Sequence, residues 1–324
     1  MVKIAVLDDY QDIALKSANW ASLPADSEVQ VFRDHVDDVD ETARRLQDFQ
    51  IVCTMRERTP IGRRLLERLP ALRLLTTTGM RNAAIDVDAA TQLGIMVCGT
   101  GGLGYPTAEL TWGLILSLAR NITQEDAALR RGRWQTTIGA GLQGKVLGVL
   151  GLGRLGSQVA RIGQAFGMSV IAWSQNLTPE KAAEHGAALV SKAELFGRSD
   201  IVTIHLVLSE RTRDIVGAPE LARMKPTAYL VNTSRGPIVD EKALVQALQA
   251  GTIAGAGLDV FDEEPLPPGH PFCRLSNAVL TPHLGYVTIE GYRVFYQETV
   301  EDIAAYLQGR PVRILNPSVI PARL

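Results

Sequence analysis

The stretch Lys145-Val-Leu-Gly-Val-Leu-Gly151-Leu-Gly153-Arg-Leu-Gly156 decides the fold of the chain. An apolar, strand-like run leads into three glycines at G-x-G-x-x-G spacing, and a helical pattern follows from about Leu155 to Phe166. In such a turn Gly151 permits the tight bend, Gly153 leaves room for a pyrophosphate, and Gly156 lets helix and strand pack closely. A bare glycine motif is weak because Gly is common in turns of every kind. The strand–turn–helix context, however, predicts a dinucleotide site.

The composition narrows the class of protein. A chain of 324 residues has room for two domains, and its net charge of −2 gives no reason to expect nucleic acid or an anionic membrane as a partner. The chain has no apolar run of about 18 residues that would span a membrane. The start, Met1–Asp9, is typical of a buried strand rather than a signal peptide. Three scattered cysteines, Cys53, Cys98 and Cys273, indicate reduced thiols without metal-ligand spacing. We therefore expect a cytoplasmic enzyme without a metal.

Strand-like and helix-like segments alternate along almost the whole chain, which predicts parallel sheets covered by helices. One α/β unit ends near Cys98 and a second begins at Lys145, with the glycine-rich stretch Gly99–Gly104 as a boundary or hinge. The predicted strands are 3–7, 29–32, 51–53, 74–77, 96–98, 146–150, 169–173, 188–190, 201–204, 229–232, 255–259 and 278–280. The predicted helices are 40–47, 61–69, 87–93, 106–121, 123–131, 155–166, 180–185, 192–195, 219–223, 241–250 and 290–308.

The helix at 106–121 is apolar on most of its faces, so it must be buried widely. Two interpretations stay open from the pattern alone. The helix lies in a subunit interface, or it is a central helix of a monomer.

Three reactive side chains come shortly after predicted strands, where ligands bind in a doubly wound sheet. Arg235 follows strand 229–232, Glu264 follows 255–259, and His283 follows 278–280. Such a trio suits reduction of a 2-keto acid, because Arg can fix a carboxylate, His can transfer a proton, and a carboxylate can orient the His. Taken singly, Arg235 is equally a surface ion-pair residue, Glu264 part of a solvated acidic turn, and His283 a helix cap or core histidine. Their common placement at strand ends favours the functional interpretation.

The chain resembles the D-isomer-specific 2-hydroxyacid dehydrogenase family over essentially its whole length, in particular glyoxylate and hydroxypyruvate reductases. The resemblance is carried by an ordered set of motifs: Thr78–Asp86, Thr107–Leu110, Arg120–Ile122, Gly132–Trp134, Gly151–Gly156, Asn232–Gly236, Gly257–Phe261, Glu264–Pro265 and Thr281–Gly285.

The resemblance implies roles for particular residues. Arg235 would bind the substrate and His283 would be the acid/base, with Glu264 as its partner. The backbone of Gly79 and Met80 would hold the substrate carboxylate. The implied cofactor contacts are Gly151, Gly153, Arg154, Leu155, Gly156, Ser174, His205, Thr233 and Asp259, the last two beside the nicotinamide.

The resemblance also implies an architecture of two doubly wound parallel-sheet α/β domains. A Rossmann-type NAD(P)-binding domain, residues 101–285, would be inserted into a flavodoxin-like substrate domain made of 1–100 and 286–324. The helix at 106–121 would be the dimer element, which favours a homodimer.

The sequence departs from the family pattern at two places. Strand 169–173 is followed by Ser174-Gln-Asn176, where the family often has an Asp that binds the adenosine ribose. Neither a carboxylate that would repel a 2′-phosphate nor an Arg that would grip it is present, so the choice between NAD and NADP stays open. The segment His205-Leu-Val-Leu208 lacks the Pro that the family usually has two residues after this His.

The sequence therefore predicts a cytoplasmic, dimeric NAD(P)-dependent enzyme that interconverts a small 2-keto acid and its D-2-hydroxy acid by hydride transfer. Arg235 would polarise the carbonyl, His283 would protonate the forming alkoxide, and Glu264 would hold the second ring nitrogen of the His. Closure of the two domains about hinges near Gly99–Gly104 and His283–Tyr286 would exclude water.

Two other functions compete with this prediction. A dinucleotide-sensing, corepressor-like binding protein shares the expected fold, but the intact Arg, Glu and His trio argues against it. A formate- or phosphite-type dehydrogenase would carry additional sequence around the site, and this chain shows none. Which 2-hydroxy acid is the substrate does not follow from the sequence.

Overall fold

The computed structural model describes residues 1–319. It divides into two compact units, one formed by Met1–Leu103 with the segment from Thr288 onward, and the other by the continuous segment Gly104–Val287. The last five residues of the expected 286–324 segment lie outside the described residues.

The first unit contains a five-stranded parallel sheet in the order β2-β1-β3-β4-β5. This is the flavodoxin-like strand order that the resemblance implies. The side chains of three of these strands are almost wholly buried, as expected for a sheet that has helices on both faces. The strands are β1 Val2–Val6, β2 Ser27–Val31, β3 Ile51–Thr54, β4 Leu74–Thr77 and β5 Met96–Gly99, and the helices are α1 Ala14–Ser17, α2 Val39–Leu46, α3 Arg63–Leu66, α4 Val87–Gln92 and α12 Ile289–Leu307.

The second unit contains a seven-stranded parallel sheet in the order β8-β7-β6-β9-β10-β11-β12. The order reverses direction between β6 and β9, which is the Rossmann switch point with one strand added at the far edge. The strands are β6 Val146–Leu150, β7 Ser169–Trp173, β8 Ala188–Leu189, β9 Ile201–Ile204, β10 Tyr229–Asn232, β11 Gly255–Leu258 and β12 Ala278–Leu280, and the helices are α5 Pro106–Arg120, α6 Ile122–Arg130, α7 Arg154–Ala165, α8 Pro179–Glu184, α9 Lys192–Arg198, α10 Ala218–Leu221 and α11 Glu241–Gln249. Two apolar cores pack inside this unit.

Helix α5 is largely a core helix of its own unit. It packs on α7, β10, β11 and β12, and the Trp112 ring stacks on Phe166 at 4.9 Å between ring centroids. The Trp112 Nε1 donates to the carbonyl of Val159 at 3.2 Å. Most apolar side chains of α5 are therefore buried within its own unit, without a second subunit. Only a narrow strip of apolar side chains, which includes Leu110 and Leu116, is partly exposed.

The largest difference from the predicted elements lies at residues 61–69. The helix there is only Arg63–Leu66, because Ile61 pairs with Ile85 in a parallel bridge and its backbone is therefore extended. The sequence pattern does not predict the short helix α1, since four residues carry too little periodicity.

The sequence predicts neither a membrane-spanning helix nor a metal site. Within residues 1–319, no helix is long and apolar enough to cross a membrane, and no group of three or more His, Cys, Asp or Glu side chains is arranged to hold a metal ion. Cys53 and Cys98 are buried and Cys273 is exposed. Burial raises the pKa of the Cys53 and Cys98 thiols to about 12, so both are uncharged at neutral pH.

Candidate active site

His283 and Glu264 lie on the loops that follow β12 and β11, two neighbouring strands. Nδ1 of His283 is 2.6 Å from Oε2 of Glu264, and Oε1 of Glu264 accepts a 2.9 Å hydrogen bond from the backbone N–H of Phe261. A ring nitrogen that faces a carboxylate carries the proton, so Nδ1 is the donor. Nε2 of His283 has no hydrogen-bond partner among residues 1–319 and is the nitrogen left for a ligand.

The loop after β12 is organised by Asp259, which is fully buried. Its carboxylate accepts hydrogen bonds from the Thr281 hydroxyl at 2.6 Å, the Leu284 N–H at 2.7 Å and the Gly285 N–H at 2.8 Å. Burial raises the pKa of Asp259, and these three hydrogen bonds oppose that shift. The backbone N–H of His283 donates to the Asp259 carbonyl at 2.8 Å. Asp259 therefore sets the position of the loop that carries His283.

Arg235 lies in the turn after β10, which pairs with β11. The Asn232 side chain braces this turn, because its Nδ2 donates to the carbonyl of Arg235 at 2.9 Å and its Oδ1 accepts from the Ser234 N–H at 3.0 Å. Since the carboxyl ends of parallel strands meet at one edge, β10, β11 and β12 deliver Arg235, Glu264 and His283 to the same edge of the seven-stranded sheet.

A chain of hydroxyl groups connects α5 to this edge. The Thr111 hydroxyl donates to the Thr107 carbonyl at 2.7 Å, and the Thr233 hydroxyl lies 2.8 Å from that of Thr111. Because the Thr111 proton is already used, Thr233 is the donor in that second bond. The Thr107 hydroxyl donates to the carbonyl of Gly285 at 2.8 Å. Helix α5 thus buttresses both the turn after β10 and the loop that carries His283.

The three glycines after β6 differ in what a side chain would meet at each position. Gly151 has φ 102°, a left-handed conformation that favours glycine, and a Cβ there would lie 2.8 Å from the carbonyl carbon of His205. A Cβ on Gly156 would overlap the carbonyl of Gly151. Gly153 is the N-cap of α7, has no side-chain cap, and would have no atom within 4 Å of an added Cβ. The open, uncapped start of α7 fits a dinucleotide pyrophosphate.

Two more predicted cofactor residues follow the strands that flank β6. Ser174 directly follows β7, and its carbonyl accepts a 3.1 Å hydrogen bond from the N–H of Leu177. His205 directly follows β9, and its Nε2 lies 2.9 Å from the Thr203 hydroxyl. Burial lowers the pKa of His205 to about 4, so this ring is neutral at physiological pH and brings no charge to the glycine turn.

Arg154 and Leu155 open α7 immediately after Gly153. The Arg154 guanidinium lies beside Gly104, where an added Cβ would be 3.1 Å from Nη1. The first turn of α7 therefore carries a cation that lies against Gly104.

Gly79 and Met80 lie in the first unit, in the bend that begins with Thr78 after β4. Gly79 has φ 93°, and a Cβ there would overlap the Arg56 guanidinium. The Gly79 N–H donates to the Thr100 hydroxyl at 2.9 Å, so this amide is already engaged. Met80 is 47 % exposed.

Comparison with known proteins identifies the family. The model of the D-isomer specific 2-hydroxyacid dehydrogenase NAD-binding domain matches residues 112–285. The glyoxylate reductase of Aeropyrum pernix is 44% identical over 270 residues, which is 80% of this chain and 81% of that protein. The chain belongs to the D-isomer specific 2-hydroxyacid dehydrogenase family.

Other members of the family agree with this assignment. The D-3-phosphoglycerate dehydrogenase of Methanocaldococcus jannaschii is 38% identical over 99% of this chain and 60% of its own length. A crystal structure of a phosphoglycerate oxidoreductase from Vibrio cholerae superposes with a TM-score of 0.91 at 36% identity, over 95% of this chain and 100% of that chain. This 2-hydroxyacid dehydrogenase is therefore an oxidoreductase, and the matched NAD-binding domain lies within its second unit.

Sequence reasoning missed several residues that shape the site of this dehydrogenase. Thr281 and Thr107 both lie inside motifs that carry the resemblance, which was the available signal for them. Thr111 lies one helical turn after Thr107, so the same face of α5 indicates it. Asn232 ends β10, but the two hydrogen bonds that it makes around the Arg235 turn follow only from coordinates.

Proposed function

We propose that this dehydrogenase interconverts a small 2-keto acid and its D-2-hydroxy acid with NADH or NADPH. The observation that carries the proposal is the His283–Glu264 contact of 2.6 Å, with Nε2 of the His unpartnered within residues 1–319. The pair stands on the same sheet edge as the uncapped glycine turn after β6. A proton donor and a dinucleotide cradle on one edge are what carbonyl reduction needs.

When bound, the dinucleotide supplies the hydride. In this proposal Arg235 grips the substrate carboxylate through parallel hydrogen bonds and polarises the carbonyl. His283, as imidazolium, gives its Nε2 proton to the carbonyl oxygen as the new C–H bond forms. The Glu264 carboxylate stabilises the cationic ring through Nδ1. In the oxidation direction the neutral ring takes the proton back at Nε2.

The remaining assignments extend this proposal. Residues 104–287 act as the NAD(P) domain and the first unit acts as the substrate domain, where the Met80 amide and the Gly79 turn bind the substrate carboxylate. On the cofactor side, Thr233 and Asp259 line the nicotinamide pocket. The contacts on the pyrophosphate and adenosine side are Gly151, Gly153, Arg154, Leu155, Gly156, Ser174 and His205.

The test is the variant His283→Ala, assayed with NADH and NADPH against glyoxylate, hydroxypyruvate and pyruvate. A general acid–base group contributes about 10²–10⁴-fold to turnover, so kcat should fall by that factor while NADH still binds, as measured by fluorescence titration. Near-normal turnover by the variant would remove His283 from the mechanism. A wild-type protein that binds NADH and reduces no keto acid would favour the corepressor-like alternative.

A further inference from the structure

The loop between β11 and β12 carries Glu264, and a single side chain outside the loop holds it at two points. That side chain is Glu241, the first residue of α11. Its Oε2 accepts from the backbone N–H of Asp262 at 3.3 Å, and its Oε1 lies 3.0 Å from Nε2 of His270. The side chains of Glu241 and His270 are 22% and 17% exposed, so solvent only partly screens their interaction.

The hydrogen bonds of His270 show which of its ring nitrogens carries the proton. Nδ1 of His270 accepts from the backbone N–H of Phe272 at 3.3 Å, so in the neutral ring Nε2 carries the proton and donates to Glu241. The ring packs on Phe272 at 5.1 Å between centroids, and Phe272 packs on Phe261 at 6.1 Å. Both phenylalanines are buried. The far end of the loop is thus anchored in the core as well as to Glu241.

The near end of the loop is the Phe261–Asp262 peptide, whose N–H bonds to Glu241, and the Val260–Phe261 peptide directly before it bonds to Glu264. Glu241 accepts the N–H of Asp262, and the N–H of Phe261 donates to Oε1 of Glu264 at 2.9 Å. On its other side this peptide lies directly against Gly236, where any Cβ would overlap it. A shift of the Phe261–Asp262 peptide therefore also moves the adjoining Val260–Phe261 peptide, whose N–H orients Glu264, and presses on Gly236, the residue next to Arg235.

We propose that Glu241 is a positioning residue for the Glu264–His283 pair. It fixes the loop that carries Glu264, and so holds the carboxylate in line with Nδ1 of His283 at 2.6 Å. The inference rests on the proposed function, because it gives Glu241 a part only in the reaction that His283 and Glu264 perform.

The primary experiment compares Glu241→Ala with the wild type. A misplacement of about 1 Å in a catalytic group can cost about 10²-fold, so we expect kcat to fall about 10–100-fold while KM for NADH changes little. A Glu264 carboxylate that is held less well stabilises the imidazolium less. The midpoint of the kcat/KM pH profile for reduction should therefore move to lower pH. Amide hydrogen exchange of the segment 259–272 should become faster in the apo protein.

Glu220 provides a matched control in the same unit. Its carboxylate also accepts one backbone N–H, from Gly217 at 3.0 Å, and also pairs with one side chain, Lys192 at 2.8 Å. It is 16% exposed, and none of its partners belongs to the loop that carries Glu264. Glu220→Ala should reduce stability about as much as Glu241→Ala and leave kcat and the pH profile unchanged.

Glu241→Gln serves if Glu241→Ala does not fold, since the amide oxygen still accepts one of the two hydrogen bonds. It should give a smaller loss of kcat and a pH shift in the same direction. An unchanged kcat, or a loss of kcat without a pH shift or matched by Glu220→Ala, overturns the positioning role. Failure of the proposed function is distinguishable, because then either the wild type would reduce no keto acid or His283→Ala would retain turnover, whatever the Glu241 variants do.

Discussion

A single histidine in the left-handed region of the backbone carries much of the chemistry that we propose. His283 has φ 53°, a conformation that costs a non-glycine residue about 1 kcal/mol or more. The Asp259 carbonyl and carboxylate hold this conformation through the N–H groups of His283, Leu284 and Gly285. At the scale of the residue, the orientation of the imidazole is therefore set by the buried Asp259, which needs no contact with the substrate.

The residue after β7 should govern the choice of cofactor. Ser174 places neither a negative nor a positive charge where the adenosine ribose is expected, so the wild type should discriminate little between NADH and NADPH. Ser174→Asp adds an acceptor for the ribose hydroxyls and repels a 2′-phosphate. We expect the ratio of kcat/KM for NADH to that for NADPH to rise. A ratio that does not rise would mean that the ribose binds elsewhere.

His205 should make stability depend on pH. Its pKa in the folded protein is lowered to about 4 by burial, from an ordinary value of 6.5. The unfolded chain therefore binds the proton first. The stabilising effect of the neutral ring is complete above pH 6.5 and is lost as the pH falls toward 4.

The check is urea unfolding of the wild type and of His205→Gln at pH 7 and pH 5. The loss of unfolding free energy between the two pH values should be smaller in the variant by roughly 1–2 kcal/mol. Gln can still bond to the Thr203 hydroxyl, so it isolates the titration of the ring. Equal losses in the two proteins would show that His205 is not the group that titrates.

At the scale of the element, the strands were the most predictable part of the molecule. Buried parallel strands are short apolar runs between turn residues, so β6, β7, β9, β10 and β12 have the predicted bounds. The contact between Glu264 and His283 could be anticipated for the same reason, since both follow strands that meet at one edge. The bonds of Asp259 and Glu241 could not, because which loop atoms a buried carboxylate accepts depends on how two loops fold over each other.

Replacing glycine by alanine should destabilise the protein much more in the first turn of α7 than near the end of α9. A Cβ at Gly156 would overlap the Gly151 carbonyl, whereas one at Gly197 would meet only an ordinary contact at 3.8 Å. Gly156→Ala should therefore destabilise the protein by several kcal/mol and weaken NADH binding. Gly197→Ala should be neutral or stabilise it by about 0.5–1 kcal/mol. Thermal unfolding and NADH titration of both variants check the contrast, and similar results for the two would contradict it.

At the scale of the whole molecule, we propose a homodimer formed through the second unit. Glu125 accepts hydrogen bonds from the hydroxyls of Thr136 and Thr137 at 2.9 and 2.6 Å, which fixes the irregular segment after α6. Yet Trp134 and Ile138 on this segment are 76% and 98% exposed. When a fixed backbone exposes large apolar side chains to solvent, the surface that they form is typically covered by a protein partner.

Sedimentation equilibrium should give a mass of twice 35.1 kDa for the wild type, because the proposed dimer would bury the apolar surface between two copies. The double variant Trp134→Glu/Ile138→Glu should give the monomer mass. Leu15→Glu in the first unit, where Leu15 is 51% exposed, is the matched control and should leave the dimer intact. A monomeric wild type would contradict the proposal.

The placement of α12 in the same unit as β1 has a consequence for synthesis on the ribosome. The chain delivers β1–β5 first, then all seven strands of the second unit, and α12 last. Helix α12 packs on β4 and β5 and contributes buried side chains such as Phe295, Val300 and Ile303. Until it emerges, part of an apolar sheet face has no cover, while the second unit already has every strand it needs. The unit whose synthesis begins first is therefore the last to be completed. Its incomplete sheet in the nascent chain is the part of this protein most exposed to aggregation.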